Sequence, residues 1–351
     1  MQTYNAIGIM SGTSLDGLDI VWVQFEKNNL WNFKIKKSTT IKYSSELSSK
    51  LLYANQLTGL DLVKLSKDFG RFIGTNVNDF IKDFDCKIDF IASHGHTVFH
   101  QPDKGITLQI GDGNEIVTTT GLQTICDFRS LDVALGGQGA PLVPIGDRHL
   151  FADFDFCINI GGFANISFEK DNKRLAYDIC PANIVLNHLV KPIGHEFDKD
   201  GEIARSGNFC KELYQELNEL DYYELSFPKS LGREWLEGNF FPVLDKYDIT
   251  TDDKLNTVCY HIANQIVKST NLFQSGKILI TGGGAYNSYL IELIKNKSKH
   301  QLVIPDKQIV EYKEALIFAF LGLLKINNQI NCMASVTGAQ RDSCCGVIYN
   351  P

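Results

Sequence analysis

The chain begins with an apolar strand, a polar turn and a second apolar strand. Ile7 to Met10 is apolar, Ser11 to Gly17 is rich in glycine and hydroxyl groups, and alternating apolar residues return from Leu18 to Phe25. Alternation with a period of two indicates a half-buried strand. The segment therefore predicts a β-hairpin with a polar tip.

Helical periodicity follows from Ser45 to Phe84, with a break near Thr58-Gly59, and predicts two packing helices. Three short apolar strands come next, and each ends in polar or glycine residues: Ile88 to Ala92, Thr107 to Ile110, and Leu122 to Cys126. Ligands of α/β proteins bind beyond such strand ends. We therefore expect polar chemistry after these three strands.

The hairpin pattern recurs in the second half of the chain. Phe156 to Ile160 predicts a strand, Gly161 to Asn165 a tight turn, and Ile166 to Phe168 the returning strand. This recurrence predicts two similar α/β lobes. Glycine density peaks at residues 135–141, so we place the boundary nearby. The expected domains are an N-terminal lobe over 1–130, a C-terminal lobe over 131–333, and a tail over 334–351 that returns to the N-terminal lobe.

Length and charge narrow the class of protein. A chain of 351 residues exceeds one ordinary core, which makes a cleft between two lobes the expected site. The net charge of -7 argues against a nucleic-acid partner. No apolar run is long enough to span a bilayer, and the first residues lack the pattern of a signal peptide. We expect a cytoplasmic protein with no membrane partner.

The nine cysteines contain no C-x-x-C pair. Zinc sites built from cysteine usually show such paired spacing. We therefore expect mostly buried free thiols, which fits a reducing compartment.

The tip of the first hairpin carries groups suited to polyphosphate and its metal. Gly12 and Gly17 let backbone N–H groups approach phosphate oxygens, Thr13 and Ser14 add donors, and Asp16 can reach Mg²⁺. It is not a P-loop, because a strand follows and no G-x-x-x-x-G-K-[ST] occurs. A hairpin without a ligand is the alternative.

A third glycine cluster, Gly282-Gly283-Gly284, follows the apolar strand Ile278 to Ile280 and precedes a helix beginning near Ser288. Asn287 occupies the position of the last glycine in G-x-G-x-x-G, so the dinucleotide fingerprint fits poorly and a nicotinamide dehydrogenase is excluded. A glycine turn before a helix still suits a nucleoside or an anionic group.

Taken together and in order, the motifs resemble the anhydro-N-acetylmuramic acid kinase family. The matching segments extend over nearly the whole chain: Gly12 to Gly17, Ser93-His94-Gly95, Asp127-Phe128-Arg129, Gly136 to Leu142, Asn159 to Gly162, Asp198 to Gly201, and Gly282 to Ala285. The resemblance implies the actin, Hsp70 and sugar-kinase superfamily, in which two ribonuclease-H-like lobes surround a central ATP cleft. It also implies the reaction, which is hydrolysis of the 1,6-anhydro ring and phosphorylation of O6 to give N-acetylmuramic acid 6-phosphate in cell-wall recycling.

The resemblance also implies roles for individual residues. The expected ATP-binding residues are Gly12, Thr13, Ser14, Leu15, Asp16, Gly17, Leu18, Asp19, Gly161, Gly162, Gly282, Gly283 and Gly284. Asp16 is expected near Mg²⁺. The expected contacts to the sugar are His94, His96, Arg129, Asn183 and Glu314.

Opening an internal acetal requires a water activated by a base, while the released O6 must meet the γ-phosphoryl group in line. Asp178, just before an apolar helix that begins near Ile184, is our candidate base, and the family has an equivalent acid in a D-x-x-P-x-N motif. From the residues alone, Asp178 or Asn183 could instead cap that helix.

Three other candidates carry alternatives. Arg129 suits the lactyl carboxylate of muramic acid, or a surface salt bridge with Asp132. His94, His96 and His100 could hold a metal, but no acid or cysteine nearby completes such a site. Glu314 could be a solvated acid favoured by the helix dipole in the first turn of a helix over Ala315 to Leu324.

The chain departs from the family pattern at four positions. Ile179 and Cys180 stand where Thr-Gly is common, Ala182 replaces glycine, and His96 replaces glutamine, whose hydrogen bonding a neutral imidazole could imitate. The segment from Lys229 to Glu234 resembles the family, but the sequence gives it no role. The oligomeric state is left open, with a homodimer among the candidates.

Two further functions compete with the family's reaction. One is a kinase for another sugar or small acid in the same cleft. The other is an actin- or Hsp70-like ATPase switch, which would need a partner surface that the sequence does not reveal.

Overall fold

A computed structural model describes residues 2–12, 15–271 and 274–351. Thr13 and Ser14, predicted as phosphate donors, lie outside the described residues. Along the described part of the chain, no helix is both long and apolar enough to cross a membrane.

The strands, in chain order, are β1 (Gln2–Ser11), β2 (Leu18–Lys27), β3 (Trp31–Ile41), β4 (Phe90–Gln101), β5 (Ile106–Ile110), β6 (Thr124–Cys126), β7 (Phe156–Ile160), β8 (Phe163–Lys170), β9 (Lys173–Pro181), β10 (Lys277–Thr281), β11 (Gln301–Val303) and β12 (Val347–Tyr349).

The α-helices, in chain order, are α1 (Ser45–Leu52), α2 (Gly59–Ile81), α3 (Gly113–Thr120), α4 (Ser130–Ala134), α5 (Pro144–Leu150), α6 (Asn183–Val190), α7 (Glu202–Ser206), α8 (Lys211–Asn218), α9 (Arg233–Trp235), α10 (Phe241–Asp245), α11 (Thr251–Thr270), α12 (Ser288–Lys297), α13 (Lys307–Ile326) and α14 (Ala334–Thr337). A π-helical turn, Leu236–Phe240, joins α9 to α10. Short 3₁₀ turns cover Ala54–Gln56, Pro102–Lys104, Lys191–Ile193, Lys199–Gly201, Asp221–Glu224 and Gly283–Tyr286.

The chain divides into two compact units. The first comprises 1–150 and 312–351, and the second comprises 151–311. The expected boundaries at 130 and 333 therefore differ from the observed ones. Side chains explain the difference, since Asp132 accepts a hydrogen bond from Thr337 and Asp147 pairs with Lys313 at 2.7 Å. These contacts tie residues 131–150 and the end of the chain to the first unit.

The sheet of the first unit has the strand order β12-β6-β4-β1-β2-β3, with β5 paired to β4. The predicted hairpin is confirmed, because β1 and β2 pair antiparallel from Gln2–Lys27 to Ser11–Leu18. β4 and β6 run parallel to β1, whereas β12 closes the edge by pairing antiparallel with β6. The carboxyl ends of β1, β4 and β6 therefore lie at one edge of the sheet.

The two predicted helices form as α1 and α2, each capped by a hydroxyl: Ser44 accepts from the Leu47 N–H and Thr58 from the Asp61 N–H. The prediction for the following strand was too short, because β4 continues through the polar run 93–101. His94 and His96 consequently lie within a strand instead of a loop.

The sheet of the second unit has the order β11-β10-β7-β8-β9. β7, β8 and β9 form an antiparallel meander, and β10 and β11 run parallel to β7. The first unit repeats this plan with β1, β2, β3, β4 and β6. Both units thus have the ribonuclease-H-like order, and the predicted α/β class with a glycine-tipped hairpin opening each lobe is confirmed.

Close packing of helices on the sheets fixes the ends of the strands. In the first unit, Gly8 of β1 lies against α13, where an added Cβ would be 2.1 Å from the Ala315 carbonyl oxygen. In the second unit, α6, α11 and α12 cover the sheet through buried residues such as Val185, Ile262 and Leu290. These cores hold the polar strand ends that carry the candidate site.

Candidate active site

The described residues of the first hairpin tip include a tight turn and a closely packed glycine. The Leu15 N–H donates to the Gly12 carbonyl at 3.3 Å, and Leu15 has a φ of 61°. A Cβ at Gly17 would lie 2.6 Å from the Ile41 carbonyl oxygen, so only glycine fits there. Asp16 is exposed beside these glycines, and Asp19 is half-buried and accepts from Thr40 Oγ1 at 2.6 Å. The exposed Asp16 carboxylate suits a hydrated Mg²⁺.

A chain of hydrogen bonds anchors the start of this hairpin tip. The Tyr43 hydroxyl donates to Ser11 Oγ at 2.7 Å, and Ser11 Oγ lies 3.2 Å from His96 Nδ1. His96 also hydrogen-bonds the Leu51 backbone carbonyl. Because Ser11 has one proton to donate, Nδ1 is the acceptor and Nε2 carries the hydrogen. We call Tyr43, Ser11, His96 and Leu51 the Ser11 relay.

Both ring nitrogens of His96 are therefore engaged within the protein. The side chain is buried, and burial lowers its pKa. The predicted contact of His96 with the sugar stays a prediction. In the structure, His96 holds Ser11, the residue that precedes the glycine tip.

Arg129 and His94 form a second buried pair. Arg129 Nε and Nη2 lie 3.1 and 2.9 Å from His94 Nε2, and Nη1 donates to the Gly139 carbonyl at 2.6 Å. His94 Nδ1 lies 2.9 Å from the Gly95 carbonyl oxygen, so it carries the ring hydrogen and Nε2 accepts. Burial, followed by the charge of Arg129, lowers the pKa of His94 well below its ordinary value. A neutral His94 thus positions the guanidinium.

The salt bridge proposed between Arg129 and Asp132 is not what the structure contains. Asp132 is fully buried and accepts hydrogen bonds from the Gly139 N–H at 2.8 Å and from Thr337 Oγ1 at 2.8 Å. Its carboxylate therefore shapes the glycine-rich loop after α4. Asp127 has a capping role, since it accepts from the Ser130 N–H at 3.2 Å.

Glu314 lies near Arg129, in the middle of α13. The predicted first-turn position is wrong, because the helix begins at Lys307. The carboxylate reaches solvent, but the surrounding protein partly desolvates it and raises its pKa. The charge of Arg129 opposes this rise, whereas the charge of Asp19 adds to it. Asp19 and Arg129 thus both lie close enough to Glu314 to change its pKa.

In the second unit, the glycines of two separate turns converge on the first residue of α6. The Asn183 N–H donates to the Gly161 carbonyl at 3.1 Å, and Asn183 Nδ2 donates to the Ile160 carbonyl at 3.1 Å. Gly282 has a φ of 81°, and its Cβ would be 2.8 Å from the same Ile160 oxygen. A Cβ on Gly283 would lie 3.5 Å from Asn183 Nδ2. Asn183 therefore braces the glycine turns predicted to bind the nucleotide.

The motif Asp198 to Gly201 lies beside the third glycine turn, Gly282 to Gly284. Asp198 is buried and accepts from the Ile203 and Ala204 N–H groups at 3.0 and 2.9 Å. A Cβ at Gly201 would lie 2.3 Å from Asn287 Oδ1, which itself accepts from the Leu290 N–H at 2.9 Å. The motif thus packs directly on the third glycine turn and the start of α12.

Asp178 lies on β9 and is held by a segment distant in the chain. Its Oδ2 accepts from the Leu231 N–H at 2.9 Å, and its own N–H donates to the Lys229 carbonyl at 3.2 Å. The Tyr222 hydroxyl donates to the Asp178 backbone carbonyl at 2.5 Å, and Lys229 Nζ donates to the Tyr222 carbonyl at 3.0 Å. We call Tyr222, Lys229 and Leu231 the Asp178 clamp.

The chemistry of Asp178 follows from this setting. The side chain is half-buried, and desolvation raises its pKa while the hydrogen bond from Leu231 lowers it. A carboxylate with a raised pKa is a better proton acceptor than an exposed one. The capping alternative is wrong, because the N-cap of α6 is Ala182 and no side chain caps that helix end.

Sequence reasoning missed the residues that position these groups. The sequence did show that the segment from Lys229 to Glu234 resembles the family. It contained no pattern to indicate that this segment contacts Asp178. Tyr43 and Ser11 gave no signal, since each looks like an ordinary strand residue or turn hydroxyl.

Three of the four departures from the family pattern lie close to Asp178 in the chain, and all three side chains are in the core. Ile179, Cys180 and Ala182 are 2%, 0% and 0% exposed. Burial also raises the pKa of the Cys180 thiol, which keeps it protonated and unreactive. These substitutions therefore change the packing behind Asp178.

The expectation of free thiols agrees with the structure, in which all nine cysteines are free and six are buried. Within the described residues, no group of three or more histidine, cysteine or acidic side chains could hold a metal ion. His94 and His96 instead use their ring nitrogens as described above.

Comparisons with known proteins identify the family of this chain. The model of the family described as "Anhydro-N-acetylmuramic acid kinase" matches residues 4–351. Proteins of that name from Shewanella sp. (strain MR-4) and Vibrio cholerae are 36% and 35% identical to this chain over 374 and 369 residues. The alignments cover 97% of both chains for the first and 98% of both for the second.

One solved structure with a similar fold is a ROK family glucokinase from Streptomyces griseus in complex with glucose and AMPPNP. Its TM-score is 0.43 at 11% identity, and the match covers 90% of this chain and 98% of that one.

A kinase for another sugar and an ATPase switch are both less favoured than the family's own reaction, because the family match extends over nearly the whole chain. The chain belongs to the anhydro-N-acetylmuramic acid kinase family.

Proposed function

We propose that this protein uses ATP and water to convert 1,6-anhydro-N-acetylmuramic acid into N-acetylmuramic acid 6-phosphate. Family membership supports the substrate and the reaction class. The observation that carries the mechanism is Asp178, a half-buried carboxylate held at 2.9 Å by the Leu231 N–H. Cell-wall recycling in the cytoplasm is the corresponding role.

In the proposed reaction, water attacks C1 of the sugar and its proton passes to Asp178. The C1–O6 bond breaks, and O6 takes the γ-phosphoryl group of ATP, so that ADP leaves. The Leu231 N–H occupies Oδ2, and we therefore assign the proton to Oδ1. The raised pKa of Asp178 favours this transfer, and the carboxylic acid later returns the proton to solvent.

Arg129 and Glu314 supply the proposed contacts to the sugar. The guanidinium is oriented by His94 and by the Gly139 carbonyl, and its remaining N–H groups suit the lactyl carboxylate in a charge-assisted pair. Glu314 accepts hydrogen bonds from hydroxyl or amide groups of the sugar. Asn183 is engaged by the Ile160 carbonyl, so its proposed contact with the sugar uses its Oδ1.

The glycine turns are the proposed nucleotide contacts. We assign the phosphates to Gly12 to Asp19 and to Gly161-Gly162, because glycine lets backbone N–H groups approach phosphate oxygens, and we assign the nucleoside to Gly282 to Gly284. Asp16 is the residue that would hold Mg²⁺, whose charge would neutralise the phosphate oxygens during transfer. Asp19, near Glu314, would add a second carboxylate at this end of the hairpin.

The test is incubation with ATP, Mg²⁺ and the anhydro-sugar in ¹⁸O-labelled water, followed by mass spectrometry. We expect a product that gains one phosphoryl group and one water, with the label in the hydroxyl at C1 and the phosphate on O6. A phosphorylated sugar without added water would reject the hydrolytic step. ADP release that does not depend on the sugar would favour the ATPase switch.

A further inference from the structure

A cavity of about 260 Å³ lies in the second unit, beside β9 and α11. Its walls are formed by ten side chains: Tyr177, Ile179, Tyr223, Leu225, Ser226, Phe227, Lys229, Gln265, Lys268 and Ser269. At about 30 Å³ per water molecule, the cavity has room for roughly nine waters. It therefore has room for a ligand of about the size of a monosaccharide.

The polar groups of the cavity favour an anion. Lys229 and Lys268 contribute two ammonium groups, Ser226 and Ser269 contribute hydroxyls, and none of the ten residues that line this cavity carries a carboxylate. Lys229 is half-buried, and this desolvation lowers its pKa, although the charge of Glu224 opposes the shift. A bound anion would offset the cost of burying this ammonium group. Lysine is also a common phosphate ligand in proteins.

Aromatic rings give the cavity a flat apolar wall. Tyr177 and Phe227 stack with ring centroids 5.8 Å apart and an interplanar angle of 7°. Lys229 Nζ lies 4.5 Å from the Tyr222 ring centroid and 5.8 Å from that of Tyr177. A ligand that matches these walls has a compact organic body with one apolar face, hydroxyl groups, and a phosphate at one end.

The cavity shares its wall with the Asp178 clamp. Tyr177 and Ile179 flank Asp178 on β9, where the pairing with β8 shifts register between Ala164–Cys180 and Asn165–Asp178. Lys229 lines the cavity, its carbonyl accepts from the Asp178 N–H, and its Nζ donates to the Tyr222 carbonyl. A ligand that draws Lys229 Nζ toward itself would therefore break its hydrogen bond to the Tyr222 carbonyl and loosen the Asp178 clamp.

We propose that this cavity binds a phosphorylated monosaccharide and that its occupancy changes the activity of Asp178 through the Lys229 to Leu231 segment. The product of the proposed reaction belongs to this chemical class, so the site would sense product or a related sugar phosphate. The effect on activity rests on the proposed function, whereas the binding itself does not.

Binding is tested by calorimetry with glucose 6-phosphate as the probe, in parallel with inorganic phosphate and glucose. We expect glucose 6-phosphate to bind more tightly than either alone, and Lys268→Ala to weaken it about tenfold. Lys295→Ala removes an exposed lysine of α12 and is the matched control, expected to bind like the original protein. Equal affinity of the original protein and Lys268→Ala, or equal affinity for glucose and its phosphate, would overturn the site.

The coupling is tested by measuring ADP production from ATP and the anhydro-sugar over a range of glucose 6-phosphate concentrations. Lys268→Ala should keep the basal rate and lose the response, which separates this cavity from competition at the active site. Binding without any change in rate would reject the coupling and leave the site intact. An enzyme inactive toward the anhydro-sugar would reject the proposed function, and the calorimetry would still decide whether the cavity binds.

Discussion

The Leu231 backbone N–H lies 2.9 Å from Oδ2 of Asp178, although the two residues are 53 positions apart in the chain. This single bond determines which carboxylate oxygen is available and opposes the rise in pKa that burial produces. The position of the candidate base is therefore set by a loop that comes from elsewhere in the second unit.

Asp178→Asn should abolish proton abstraction while keeping the fold, because the amide oxygen can still accept from Leu231. We expect turnover to fall by about 10²- to 10⁴-fold, the range typical of general bases. A coupled ADP assay measures this loss, and thermal unfolding serves as the control for folding. Turnover close to that of the original protein would remove Asp178 from the mechanism.

The pH dependence of the original enzyme should report the same group. Burial raises the pKa of Asp178, and the base works only when ionised. Activity should therefore fall as the pH decreases through this raised pKa, at a higher pH than an exposed aspartate would require. A pH profile of kcat/KM measures this acidic limb. A limb located at the pKa of an ordinary aspartate would contradict the assignment.

Tyr222→Phe removes the hydroxyl that donates to the Asp178 backbone carbonyl. Leaving this part-buried carbonyl without its partner should lower the free energy of unfolding by about 1 kcal/mol. We also expect kcat to fall more than the KM for ATP changes, because the clamp acts on the base. Tyr247→Phe, which removes a hydroxyl bonded to Glu216, is the control and should keep kcat. Equal effects of both variants on kcat would argue against a positioning role.

His96 should act on the nucleotide through Ser11. His96→Leu removes the two ring nitrogens through which His96 takes part in the Ser11 relay. One or two hydrogen bonds worth about 1 kcal/mol each are then lost, so we expect the KM for ATP to rise about tenfold. His96→Gln keeps a donor and an acceptor and should restore most of the affinity. The KM values for ATP and for the sugar, measured separately, test this. A rise confined to the KM for the sugar would instead support the originally predicted sugar contact.

Gly282→Ala should disturb the third glycine turn. Its φ of 81° and the Ile160 carbonyl oxygen 2.8 Å from the added Cβ leave no room for a side chain. We expect about 1–3 kcal/mol of destabilisation together with weaker ATP binding. Gly59→Ala is the control, because nothing lies within 4 Å of its added Cβ. Chemical denaturation and nucleotide titration of both variants measure the difference, and ATP binding unchanged by Gly282→Ala would argue against a nucleotide contact there.

The fold was predictable where local patterns were strong. The two hairpins show clear alternation, and Ser44 and Thr58 mark the helix starts. β4 was predicted too short because its buried polar residues, such as Ser93 and His96, interrupt the apolar pattern. The partner of His96 is Ser11, 85 positions away, and no local pattern indicates that contact. The Asp178 clamp was unpredictable for the same reason. Spacing in sequence carries no information about a contact between separate elements.

The first unit is built from two separate segments of the chain, and this affects the order in which the two units can fold during synthesis. The second unit is one uninterrupted segment, 151–311, whereas the first requires both 1–150 and 312–351. Domains fold as their residues leave the ribosome, in N-to-C order. The second unit is therefore complete while the first still lacks the helix that covers Gly8 and the strand that closes its sheet. Translation must therefore extend through α13 before Gly8 of β1 can be covered.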